Sequence, residues 1–244
     1  MDPREYELMY HVEDRHWWYQ GMETITRALL ERWMPAHSSR ILDAGCGTGA
    51  AMTTYLAEYG MVTGIDLYAE ALRFCRKRNA PRLARASVLD LPFAPASFDM
   101  VTSFDVLYER AVSDELTALK EFFRILTPHG RILLRLPAYD WLRGQHDKKV
   151  HTNRRYTKKL VNRLLEQSGF MVEHLSYANT FLFPLAVAKR LSERVFPPSD
   201  DQSDLAMNAG AFNSVLKFIL SAEAPLVSHV GLPYGLSVIA IGRK

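Results

Sequence analysis

The chain has little cysteine. Cys46 and Cys75 are the only two among 244 residues, which supports neither a disulfide framework nor a zinc site. Hydrophobic runs are short, and none reaches the roughly 18 residues that mark a transmembrane helix. The opening Met1-Asp2-Pro3-Arg4-Glu5 lacks the charged-then-apolar order of a secretory leader. Low-complexity tracts are missing. Neither sign of charge dominates, with 30 Lys and Arg against 27 Asp and Glu. A soluble, cytoplasmic protein is the expectation.

Apolar residues make up 48% of the chain, enough for a large core, and the length suits one α/β domain with additions. Residues 40–49, Arg-Ile-Leu-Asp-Ala-Gly-Cys-Gly-Thr-Gly, say most. Ile41 and Leu42 read as the end of a buried strand that stops at Asp43. Gly45, Gly47 and Gly49 follow at alternate positions as a tight turn into a helix. Glycine is needed where backbone takes positive φ or touches a ligand, so a small molecule is expected across this loop.

Read loosely, Gly45 to Ala50 also fits a dinucleotide-binding fingerprint. Asp66 closes a second apolar run, Met61 to Ile65, and suits ribose hydroxyls in either reading. Three features separate the two. Asp43 stands two residues ahead of the first glycine, within reach of a cationic amino group. Gly49 falls one place earlier than the dinucleotide pattern needs. Downstream come Asp90-Leu91-Pro92 and then Phe98-Asp99-Met100-Val101 with Phe104-Asp105-Val106-Leu107.

In these four elements, in their order and spacing, the chain resembles the class I S-adenosylmethionine (SAM) dependent methyltransferases of small-molecule type. Leu126 to Leu134 looks like that family's turn and fifth strand. The resemblance covers roughly residues 38–175 and the last ten or so. It implies SAM as cofactor, with Gly45 and Gly47 against the methionine part and Asp43 near its ammonium. It further implies Asp66 on the ribose hydroxyls, Leu67 and Leu91 on adenine, Asp90 on the exocyclic amine, and Phe104 beside the methyl group. A simple turn cap is the other reading of Asp90.

Strands are expected near 40–43, 61–65, 83–87, 98–103, 131–136, 170–175 and 236–242, with helices at 48–59, 68–79, 114–125 and 157–168. Such alternation calls for a parallel sheet with right-handed crossovers. The expected fold is α/β, a doubly wound, seven-stranded, mostly parallel Rossmann-like sheet. The resemblance implies an antiparallel last strand. Residues 38–176 and 234–244 form the SAM-binding core in this reading, flanked by 1–37 and 177–233.

Residues 5–35 carry helical periodicity and the dense aromatic run His16-Trp17-Trp18-Tyr19. A helix docked on the core is one reading; a lid over bound cofactor, with Tyr19 in contact, is the one favoured. Residues 177–233 exceed what the bare fold needs. Apolar helical pieces at 180–195 and 211–220 flank a breaker-rich Pro197 to Asp204. This is read as a helical cap over the acceptor; a dimer surface or a shallow membrane contact at 181–187 are alternatives.

Methyl transfer asks mainly for alignment, and for a base only when the acceptor must lose a proton. The segment after the fifth strand holds His146-Asp147 and His151, where open α/β sheets bind ligands. His146 is the first candidate base, Asp147 its orienting partner and His151 the second; structural hydrogen bonding is the plain alternative. No fourth ligand accompanies these three, so no metal is assigned. Eight cations between Trp141 and Arg163 form a solvated face or a cationic rim. Aromatics are not interleaved with them, so no nucleic-acid partner is expected.

The expected activity is SAM-dependent methylation of a small organic, hydrophobic or lipid-like acceptor in a biosynthetic pathway, with oxygen slightly favoured. A SAM-binding protein that catalyses another step, or only binds, is the alternative. Monomer and homodimer both remain open.

Overall fold

The computed structural model describes residues 3–34, 39–144, 152–195 and 210–244. Seven strands form one sheet: β1 (Ser39–Ala44), β2 (Gly60–Asp66), β3 (Leu83–Arg85), β4 (Phe98–Phe104), β5 (Leu126–Pro137), β6 (Met171–Ala178) and β7 (Ser237–Arg243). Their order is β3-β2-β1-β4-β5-β7-β6. The pairings β1·β2, β1·β4, β2·β3 and β4·β5 are parallel, while β7 runs antiparallel to both neighbours. This is the expected doubly wound α/β fold. The carboxyl ends of β1, β2, β4, β5 and β6 therefore share one edge.

The helices are α1 (Pro3–Val12), α2 (Trp17–Trp33), α3 (Ala50–Thr53), α4 (Ala69–Lys77), α5 (Glu115–Ile125), α6 (Lys158–Gln167), α7 (Phe183–Val195), α8 (Asn213–Ser221) and α9 (Ala224–His229). Asp114 caps α5 by accepting from the Leu116 and Thr117 amides, and Thr157 caps α6. Leu119, Phe122, Val161 and Leu165 pack from α5 and α6 onto one sheet face. The other face buries Met22, Ile25, Leu29, Leu220 and Val227 from α2, α8 and α9. Each such side chain contributes about 1.5–3 kcal/mol when withdrawn from water.

Three expectations change. The single helix over 5–35 is two helices, because His16 turns extended (φ −70, ψ 133) and its ring accepts from the Trp18 amide. Asn213 locks that corner, accepting from the Trp17 amide and donating to the Arg15 carbonyl, each at 2.9 Å. The helix over 48–59 lasts one turn: Thr53 and Thr54 hydroxyls bond back to the Gly49 and Ala50 carbonyls, and Thr54 leaves helical geometry at ψ −93. A 3-10 turn, Leu56–Glu58, follows. Within 177–233, α9 is a helix that sequence periodicity did not mark.

Candidate active site

A cavity of about 1000 Å³ opens at the carboxyl edge of the sheet, at the upper end of the roughly 300–1,000 Å³ of small-molecule sites. Its first half is built by the loop after β1. The Gly45 and Cys46 amides donate to the Ile65 carbonyl at 2.9 and 2.8 Å, tying this loop to β2. Gly45 has φ +85, and a Cβ there would lie 2.2 Å from Val106 Cγ2. Only glycine meets both demands.

Asp66 ends β2 and is 7% exposed. Its Oδ2 accepts from the Gly47 amide at 3.1 Å and its Oδ1 from the Tyr68 amide at 2.9 Å. The carboxylate is thus fixed in orientation before any ligand arrives. Burial pushes its pKa up to about 6, against those two amides. Asp43 ends β1, accepts from Thr102 Oγ1 at 3.0 Å and is 2% exposed. Burial raises it to about 7, opposed by the Thr102 hydroxyl and the charge of Arg135.

Glu13, at the turn after α1, brings a third carboxylate to this half. It accepts from the Thr48 hydroxyl of the glycine loop and pairs with Arg78 at 2.9 Å. Tyr6 and Met9 of α1 also line the cavity, and Tyr6 lies 6.1 Å from the Tyr68 ring. So α1 covers the glycine loop, whereas α2 is docked in the core by Met22, Ile25 and Leu29. His16 and Tyr19, at the start of α2, still reach the cavity wall. Burial lowers the His16 pKa, which keeps the ring neutral. With Nδ1 accepting from the Trp18 amide at 3.3 Å, its proton belongs on Nε2.

The second half lies toward β5, β7 and β6, with Leu142, Leu182, Leu185 and Leu236 in its walls. Between the halves, the Arg135 guanidinium sits 4.8 Å from the Trp18 ring centre and 4.9 Å from that of Phe104. A charged residue inside the apolar run Ile132 to Leu136 marks the position in the sequence.

Of the residues singled out from sequence, Asp43, Gly45, Gly47 and Asp66 line this one cavity, and so do Tyr19, Leu67 and Phe104. Asp90 and Leu91 are not among the residues that line it. Asp90 is exposed, while Leu91 is buried in the core with its amide donated to Glu121 at 2.9 Å. Ala86, Ser87 and Val88 hold the wall instead, because Ser87 and Asp90 bridge and turn the chain away. His146, Asp147 and His151 lie outside the described residues. Glu109 was not anticipated: it lines the cavity, and burial with the charge of Asp66 raises its carboxyl to about 7.

The glycine loop faces carboxylates and leads into a helix of only four residues. A diphosphate needs the reverse, amides of a sustained helix and no nearby negative charge. An ammonium, a sulfonium and ribose hydroxyls fit. Residues 42–134 match a family model described as a methyltransferase domain. This stretch is a methyltransferase domain.

The methyltransferase domain has curated relatives in organisms as different as Penicillium expansum and Enterobacter lignolyticus. O-methyltransferase cnsE of Penicillium expansum is 30% identical over 141 residues, 54% of this chain and 47% of that one. A malonyl-[acyl-carrier protein] O-methyltransferase of Enterobacter lignolyticus is 31% identical over 160 residues, 61% of this chain and 62% of that one. The chain spans about half the length of the first curated relatives it matches. An S-adenosylmethionine-dependent methyltransferase from Mesorhizobium loti shares the fold at TM-score 0.58 and 18% identity, over 88% of this chain and 95% of that one. Among the described residues no helix is long and apolar enough to cross a membrane.

Proposed function

We propose that the protein transfers the methyl group of SAM to a small, largely apolar organic acceptor, with an acceptor oxygen as the favoured target. One observation carries this reading: Asp43 and Asp66 line the same cavity as Leu142, Leu182, Leu185 and Leu236. SAM supplies a methyl group already activated on a sulfonium. The chain holds the reactants and excludes water. Asp66 accepts the ribose hydroxyls, Asp43 lies on the ammonium side, and the glycine loop gives close backbone approach. The first segment, through α1, closes the cofactor half, and the insertion at 177–233 caps the acceptor half through α7. A single cavity that holds both reactants favours alignment, the main source of rate in such a transfer.

Oxygen is favoured on two grounds. The relatives described above are named as O-methyltransferases. The sequence between Leu142 and Thr152, both of which line the cavity, also contains His146, Asp147 and His151. His146 is the proposed base, with an unperturbed pKa near 6.5 suited to neutral pH.

The test is calorimetric titration with SAM and with S-adenosylhomocysteine, followed by mass analysis of candidate acceptors. Binding of both and a product heavier by one CH2 unit support the proposal. Binding without any methylated product over a broad acceptor panel favours a binding protein or a different reaction. Undetectable binding of both refutes the reading.

A further inference from the structure

The cofactor residues occupy the ends of β1 and β2, with Phe104 ending β4. The far end of the cavity lies under β6, three strand spacings or about 14 Å beyond β4 in the order β4-β5-β7-β6. There Pro137 pairs with Ser237, and Ser237 with Ala178. Asn179 follows directly. It lines the cavity, is 1% exposed, and holds φ +61.

Its carboxamide oxygen has no hydrogen-bond partner among the described residues. A buried polar atom without a partner costs free energy and calls for an explanation. The left-handed backbone accounts for an Asn or Gly at this position, but Gly would meet that demand without an orphaned carboxamide. Leu142, Leu182 and Leu236 line the same cavity, as do the polar Arg155, Lys189, Arg190 and Ser237, none of which bonds to that oxygen.

We propose that Asn179 is a specificity-determining residue for the acceptor, and that the acceptor is elongated, with a hydroxyl at the end remote from the methylated atom. The inference rests on the methyltransferase reading. A hydroxyl both donates and accepts, so it satisfies a carboxamide in either orientation of its oxygen and nitrogen. The distance from β4 to β6 sets the length: the two functional ends are separated by about 14 Å of mainly apolar chain.

The probes are 10-methoxydecan-1-ol and 1-methoxydecane, which differ only in the remote hydroxyl, titrated into protein saturated with S-adenosylhomocysteine. The alcohol should bind about five- to tenfold more tightly, the effect of one net hydrogen bond. Asn179→Gly, which tolerates the backbone angle, should bring the two probes to equal affinity. Asn179→Asp, which keeps an acceptor oxygen, should retain the preference. S-adenosylhomocysteine affinity should not change in either variant. Equal affinity of the wild-type protein for both probes, absence of binding by either, or an undiminished preference in Asn179→Gly overturns the proposal. Loss of S-adenosylhomocysteine binding by the wild-type protein refutes the methyltransferase reading itself, and this inference falls with it.

Discussion

Nε of Arg135 donates to Oδ2 of Asp105 across 2.7 Å, and the Asp105 amide donates back to the Arg135 carbonyl at 2.9 Å. This double link joins the ends of β4 and β5 where the two halves of the cavity meet. Asp105 adopts φ +58 to make it.

Removing one partner leaves the other charge in a poorly solvated place. Arg135→Met should cost about 3 kcal/mol, the low end for a broken buried pair, since Asp105 keeps some exposure. Arg135→Met with Asp105→Asn should recover part of that. Urea denaturation of the two variants measures the difference, and equal losses would refute the pairing argument.

Asp66→Asn keeps shape and removes charge. SAM affinity should fall about 10- to 100-fold, because a hydrogen bond to a charged group is worth about 1.5–3 kcal/mol. Calorimetry against the wild-type protein decides it; unchanged affinity would take Asp66 out of the cofactor site.

Protonation gives a separate test. Asp43 and Asp66 titrate at about 7 and about 6 in the folded protein, but near 3.9 when unfolded. Across that interval the folded state holds more protons, so ligand-free stability falls as pH rises and levels off above about 7. Affinity for SAM runs the opposite way, since its ammonium and ribose hydroxyls favour ionised carboxylates. Titrations should show binding tightening as pH rises to about 7. A flat profile below that point would contradict the assignment.

Sequence made the cofactor half readable for a physical reason. Strand ends followed by positive-φ glycines and a carboxylate are local devices, written within a few residues of each other around Asp43 and Asp66. Asp90 and Leu91 are outside the cavity lining, where Ser87 and Val88 stand, because the turn between Ser87 and Asp90 decides which side chain faces the cavity. Glu13 and Arg135 act through partners far away in the chain, Arg78 and Asp105, which no short window of sequence shows. The break at Thr54 follows from two adjacent hydroxyls, a local cause that apolar periodicity does not record.

Glu13 joins α1 to both the glycine loop and Arg78. Glu13→Ala should release α1, raising its amide hydrogen exchange and weakening SAM binding by several-fold, while the thermal midpoint of the core moves little. Exchange mass spectrometry on residues 3–12 provides the measurement. A protected α1 in the variant would show that other contacts hold it.

Gly45→Ala meets two penalties, a left-handed φ of about 1–2 kcal/mol and a clash with Val106. The single variant should lose SAM binding and be destabilised by more than the φ cost alone. Adding Val106→Ala should relieve the clash and leave only that cost. If the double variant is no more stable than the single, the close approach is not the cause.

The place of β7 also orders assembly. β7 stands between β5 and β6 in the sheet but follows both in the chain. During synthesis the cofactor edge, β1 to β5, can pair as it emerges. The acceptor edge must stay open until residues 237–243 arrive to fill the gap. Newly made protein thus acquires the place for its donor molecule first, and the place for whatever it modifies last.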